Sequence, residues 1–150
     1  MATKTKAVRF HSTEVDTTQS LSEVAALLRK YGSTRFEQEW DGFGRTQGIR
    51  FNLPAPEAAE GYINVVLRPQ TEVLADKLEL EHRITDPDQV DRVAWRQLKG
   101  IMEGILLAAD TGMFPAAQLF LGMAETPSGV SLWESIITGD GPRLLTPGDE

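Results

Sequence analysis

The chain has no cysteine, which excludes disulfides, thiolate metal sites and thiol nucleophiles together and agrees with a reducing compartment. Histidine is nearly as scarce. His11 falls in a polar N-terminal stretch and His82 in an acidic one, so neither is expected on a rigid element beside a nucleophile or a second ligand. Glu79, Glu81 and His82 lie close enough in sequence to gather a cation, but that spacing on an undefined segment reads as solvated surface. GxGxxG, Walker, HExxH and GxSxG patterns are missing. No apolar run approaches the roughly 20 residues of a membrane span, and the opening MATKTKAVRFHSTEVDTTQ contains no hydrophobic leader core. These absences lead to the expectation of a non-enzymatic protein of the cytoplasm with no cofactor, no metal site and no membrane contact.

What is present is enough for one domain. A chain of 150 residues buries roughly 70% of its unfolded surface and needs no staple. The net charge is −7 and is unevenly spread. Seven acidic residues (Glu72, Asp76, Glu79, Glu81, Asp86, Asp88, Asp91) face only Lys77 and Arg83 between positions 72 and 91, whereas Lys4, Lys6 and Arg9 open the chain without an acid. A globally acidic protein is a poor general grip for phosphate backbones, though a local basic face is still allowed.

The strongest element is Asp86–Gly112. Asp86 is placed to cap, Pro87 suits the first helical position, Gln89 stands where a capping-box partner belongs, and Gly112 can close the helix. Val90, Ala94, Leu98, Ile101, Ile105 and Ala108 recur at three- and four-residue steps, widened by Trp95, Met102 and Ala109. Upstream, residues 1–19 read as a flexible arm. A capping box at Ser20–Glu23 starts a first helix carrying Leu21, Val24, Ala25, Leu28 and Tyr31 and ending at Gly32. The period then drops to two. Thr34, Phe36, Gln38 and Trp40 alternate with Arg35, Glu37 and Glu39. Ile49, Phe51 and Leu53 alternate with Gly48, Arg50 and Asn52, and Ile63, Val65 and Leu67 with Tyr62, Asn64, Val66 and Arg68. Residues 69–85 fit a strand or a helix equally. Short helices after Pro115 and Ser131 complete the chain, and 138–150 read as a tail.

The expected architecture is therefore α+β: a helix, a three-stranded antiparallel sheet, a long central helix packed on one sheet face and short C-terminal helices, in a single domain over 20–137. Phe36, Trp40, Ile49, Phe51, Leu53, Ile63, Val65 and Leu67 form its inner sheet face. The outer face gathers Arg35, Glu37, Arg50, Asn52, Tyr62, Asn64 and Arg68, with Phe43 and Arg45 at the hairpin tip. Three arginines, two amides and an aromatic ring on one sheet face are the composition of a platform for single-stranded nucleic acid. Cross-strand Arg–Glu pairs on a solvated face would produce the same composition. Gly100, Gly104 and Ala108 align on the central helix, either where another element crosses closely or as a homodimer seam.

Leu28-Arg29-Lys30-Tyr31-Gly32, Ile49-Arg50-Phe51-Asn52-Leu53-Pro54, Trp95-Arg96-Gln97-Leu98 and Gly112-Met113-Phe114 follow one another in an order that resembles small uncharacterised proteins encoded by bacteriophages and prophages: a helix ending in Tyr-Gly, an R-F-x-L-P strand, a W-R-x-L helix and a final turn with a Trp. Pro115-Ala116-Ala117-Gln118 replaces the acidic run usual in that group. The resemblance implies a viral accessory role in a host cell and carries over no catalytic residue. Two functions are expected on these grounds. In the first, the sheet face binds single-stranded DNA or the replication and recombination machinery through Arg35, Arg50, Tyr62, Asn64, Arg68, Phe43 and Arg45. In the second, the acidic stretch with Glu72, Asp76, Glu79 and Glu81 docks on a basic surface of a host defence or nucleic-acid enzyme.

Overall fold

The computed structural model describes residues 7–144; positions 1–6 of the arm expected over 1–19 and positions 145–150 of the tail expected over 138–150 lie outside the described residues. In chain order the elements are α1 (Thr17–Lys30), β1 (Phe36–Trp40), β2 (Thr46–Pro54), β3 (Tyr62–Leu67), α2 (Thr71–His82), α3 (Pro87–Asp110), α4 (Ala116–Leu119), a 3-10 turn (Leu121–Met123) and α5 (Leu132–Thr138). The mixed α+β class and the element order expected from the periodicity are both found. Residues 69–85, equally readable as strand or helix, are settled as α2. Two compact units interleave along the chain: one takes the chain through Lys30 and Pro69–Leu107, the other Tyr31–Arg68 and the chain from Ala108 onward.

The first unit is helical. α1 begins at Thr17, not at Ser20, so the expected capping box is interior helix. Ser20 is buried with an unpartnered hydroxyl, and Glu23 instead pairs with Arg96 of α3. Asp86 does cap α3, its Oδ1 accepting the Asp88 N–H at 3.0 Å. Gln89 does not reach back to complete the box. Its amide donates to the carbonyls of His11 at 3.1 Å and Thr13 at 2.9 Å. Gln97 likewise donates to the Arg9 carbonyl at 2.9 Å, so the described part of the expected arm has a set of α3 side chains holding its backbone.

On α3 the buried row is Val90, Ala94, Leu98, Met102 and Leu106, at strict four-residue steps, with Val93 and Trp95 beside it. Ile101, expected inward, is 56% exposed. Leu78 of α2 joins Val90 and Val93 in one apolar cluster, against which Val8, Leu74, Ala75 and Ile84 pack. At Gly100 an added Cβ would lie 3.8 Å from the Phe10 ring, while at Gly104 it would meet nothing within 4 Å. A neighbouring ring in the N-terminal segment, and not a second helix or strand, is what approaches the small-residue strip.

The second unit is built on the sheet, ordered β1-β2-β3 and antiparallel throughout. Ile49, Phe51, Leu53, Val65 and Leu67 are buried as the alternation required. Trp40 is not: it ends β1 past a register shift that skips Gln47 of β2 and pairs Trp40 with Thr46, and its indole is 64% exposed. The C-terminal residues wrap the free edge of β3. Phe120 meets Phe51 edge-on at 5.7 Å, Ala124 bridges to Val65, and the Glu125 N–H donates to the Asn64 carbonyl at 2.8 Å. Ser131 caps α5 as expected, accepting the Glu134 N–H at 3.1 Å.

Candidate functional site

The register puts the polar sheet residues on one face, since Glu37 lies opposite Arg50, Arg50 opposite Val66, Asn52 opposite Asn64 and Glu39 opposite Gly48. Arg35, Arg50 and Arg68 are thus brought together as the alternation predicted, but all three already hold carboxylates. Arg35, the residue before β1, is forked onto the exposed Glu37 at 2.9 and 3.1 Å. Arg50 donates from Nε to Glu39 Oε1 at 2.6 Å and pairs through Nη1 with Glu125. Arg68 donates from Nε to Glu39 Oε2 at 2.9 Å and lies 4.0 Å from Glu134. One glutamate on β1 therefore ties β2 to the residue that follows β3, and Glu125 and Glu134 add the C-terminal residues to the network.

The electrostatics follow the pairing. The hydrogen bond from Arg68, with that from Arg50, holds the Glu39 carboxyl below the usual carboxylate range despite its partial burial. Burial works against the charge on Arg50, and the hydrogen bonds to Glu39 and Glu125 outweigh it, leaving its pKa raised. The hydrogen bond from Arg35 lowers Glu37 in the same way. Val66, placed on this polar face by the alternation, is buried. The face expected to be open is thus partly occupied by the residues around Glu125, Gly129 and Glu134.

One platform residue has another role. Asn52 is buried, its Oδ1 accepting the N–H groups of Thr34 at 2.8 Å and Arg35 at 3.1 Å while its Nδ2 donates to Thr34 Oγ1 at 2.8 Å. It fixes the entry into β1. Asp41 does the same at the hairpin, accepting from Phe43 and Arg45 at 2.8 and 2.9 Å. Tyr62 and Asn64 are exposed near the β3 edge, and the Phe43 ring stands 93% exposed at the hairpin tip.

The acidic candidates form a different surface. Measured around α2 at 100° per residue, Glu72, Asp76 and Glu79 share one side with Arg83, and Leu80, Val73 and Lys77 continue it. All of these are exposed, Leu80 at 83%. Leu78 points the other way into the core. Glu81 does not belong to that side: it lines a groove of about 600 Å³ with Ala7, Val8, Gln70, Val73, Leu74, Lys77 and Gln97, and its Oε2 is buried without a hydrogen-bond partner. Sequence acidity alone did not reveal the exposed Val73 and Leu80; the helical assignment of 71–82 was the missing signal.

Among the described residues no three His, Asp or Glu side chains are grouped to hold a metal ion, and no helix is long and apolar enough to cross a membrane. No protein-family model, no curated protein and no solved structure matches the chain.

Proposed function

We propose that this protein is a non-enzymatic accessory factor that binds a basic protein surface through the exposed side of α2. The observation that carries this reading is the combination on one helix side of Glu72, Asp76 and Glu79 with the uncovered aliphatic side chains of Val73 and Leu80. Carboxylates steer a cationic partner and set register, and exposed aliphatics supply the desolvated contact that fast electrostatic encounter lacks. The phage resemblance supplies a setting: the partner is a host defence or nucleic-acid enzyme, met in the host cytoplasm. Gly104 has free space above it and stands beside exposed Ile101 and Leu107, so a homodimer seam along Gly100, Gly104 and Ala108 belongs to the same proposal.

The competing partner is single-stranded DNA on the sheet. Tyr62, Asn64 and Phe43 are exposed there, but a phosphate would have to displace Glu37, Glu39 or Glu125 from the arginines, so this reading is second. The two are separated by capture of partners with wild-type protein, with Glu72→Lys/Asp76→Lys/Glu79→Lys and with Leu80→Ala, alongside anisotropy of a labelled oligothymidine. Loss of the captured partner in both α2 variants is expected. Unchanged capture in both, together with salt-sensitive oligonucleotide binding that Tyr62→Ala abolishes, overturns the α2 reading in favour of the sheet.

A further inference from the structure

The two edges of the sheet are finished differently. That of β3 is occupied by the chain itself, through the bridge from Ala124 to Val65 and the Glu125 N–H on the Asn64 carbonyl. The outer edge of β1 has no such cover. Among the described residues the backbone of Phe36–Trp40 is bonded to β2 alone, so its outward N–H and C=O groups are a template for another strand. Proteins blunt an open edge with proline, with lysine or with a bulge in the edge strand itself. β1 is five residues of ordinary strand length with neither proline nor lysine, and the extra residue at its register shift, Gln47, belongs to β2. Its carboxylates are neutralised within the chain, Glu37 by Arg35 and Glu39 by Arg50 and Arg68. Trp40 ends the strand with its indole 64% exposed, and Gln38 is exposed beside it. A large ring left in water on an open edge is what a docked strand would cover.

We propose that β1 pairs antiparallel with β1 of a second copy of this chain, about a two-fold axis through Gln38, so that the two sheets run on as one. Overlap of the whole strand with its copy requires Phe36 opposite Trp40, Glu37 opposite Glu39 and Gln38 opposite itself. Sliding the axis to Glu37 or to Glu39 shortens the overlap and sets a carboxylate against its own copy, a like-charge cross-strand pair. With the axis on Gln38 an amide meets itself, and an amide, carrying both donor and acceptor, is its own complement. The exposed Trp40 ring comes beside Phe36 of the second copy, an aromatic cross-strand pair that the symmetry forms twice. Just beyond the strand ends Arg35 stands opposite Asp41, a pair of opposite charge that is also formed twice. Glu37 faces Glu39 of the second copy, and each keeps the arginines of its own chain. A five-residue edge is a small contact, so the dimer is a weak one, assembling at roughly 100 μM. It uses neither α2 nor the glycine strip of α3, and it stands whether or not a partner binds there.

The test is sedimentation velocity of the full chain from about 10 μM to about 1 mM, a range that brackets a weak dimer. Wild type is expected to pass from monomer to dimer. Gln38→Lys and Gln38→Glu, exposed substitutions that set like charges opposite each other at the axis, should each weaken the dimer by about fivefold. Mixed in equal amounts the two should recover it, because every lysine then faces a glutamate. Trp40→Ala, which removes both aromatic pairs, should weaken it by about tenfold. Far-UV circular dichroism checks that each variant is folded. A wild-type chain that stays monomeric throughout, a dimer indifferent to the Gln38 and Trp40 changes, or a mixture no tighter than either charge variant alone would each overturn the β1 pairing. So would a dimer that Gly104→Ala weakens and Gln38→Lys does not, which would put the contact on α3.

Discussion

Arg68 reaches Glu39 by laying its stem across Gly48. The guanidinium grips both carboxylate oxygens, at 2.9 and 3.2 Å, and Gly48 is the residue paired opposite Glu39 on β2. A Cβ at position 48 would stand 2.7 Å from Arg68 Cγ and 2.9 Å from the Leu67 carbonyl oxygen. The first of these contacts can yield; the second is backbone. Gly48→Ala is therefore expected to destabilise the protein by about 1–3 kcal/mol, read as a lower urea midpoint with an unchanged slope.

The carboxylate at the centre of that network makes stability depend on acid. Glu39 has its folded pKa lowered, chiefly by Arg68, so its contribution is complete above the unfolded carboxylate value of about 4.3 and is lost as pH falls through the lower, folded value. Glu39→Gln leaves two part-buried arginines short of a charge and is expected to cost about 1–3 kcal/mol at pH 7. Urea titrations from pH 7 to 3 should show the wild-type advantage shrinking towards the acid end. A gap between the two proteins that stays constant over this range would mean that Glu39 contributes through shape and not through charge.

Much of the fold was legible because long periodic segments leave few choices. The 24 residues of α3 are announced by Asp86, Pro87 and Gly112, and all three act as read. Three strands and their antiparallel order followed from a period of two, a glycine-bearing hairpin connection at 41–46 and a proline break after β2. What was not legible depends on contacts between residues distant in sequence. Nothing near Gln89 indicates that it holds the carbonyls of His11 and Thr13 instead of capping its own helix, and nothing near Arg50 announces Glu125, 75 positions away. Trp40 failed for a local reason: it is the last residue of β1, past a register shift, on a face where Gln38 is exposed as well. The site was readable as a set of residue types, and Glu37 and Glu39, which hold Arg35, Arg50 and Arg68, were among the neighbours the alternation supplied; the approach of Glu125 and Glu134 from the C-terminal residues was not readable.

Asn52 tests the claim that a residue expected on a binding face is structural. Asn52→Ala removes the acceptor of the Thr34 and Arg35 N–H groups and leaves both at a partly buried strand entry. The expected loss is about 2–3 kcal/mol. Asn52→Asp keeps the acceptor and loses only the donation to Thr34 Oγ1, so it should fall between Asn52→Ala and wild type in thermal unfolding. If both variants unfolded like the wild type, the amide would be available for contact with a ligand.

Gly104 provides the opposite test from Gly48, because both are glycines inside regular elements and only one is crowded. Gly104 lies in the interior of α3, is exposed, and has nothing within 4 Å of an added Cβ. Glycine in a helix interior is destabilising relative to alanine by roughly 1 kcal/mol. Gly104→Ala should therefore raise the stability of the isolated chain by about that amount, seen as a higher urea midpoint. The dimer seam makes a separate demand on the same residue. If two copies meet over Gly104, the added methyl group holds their helices apart, and light scattering will show the dimer weakening in the variant even as its chain becomes harder to unfold. A chain that is monomeric at every concentration, wild type and variant alike, leaves the glycine without a role in assembly and removes the seam from the proposed function.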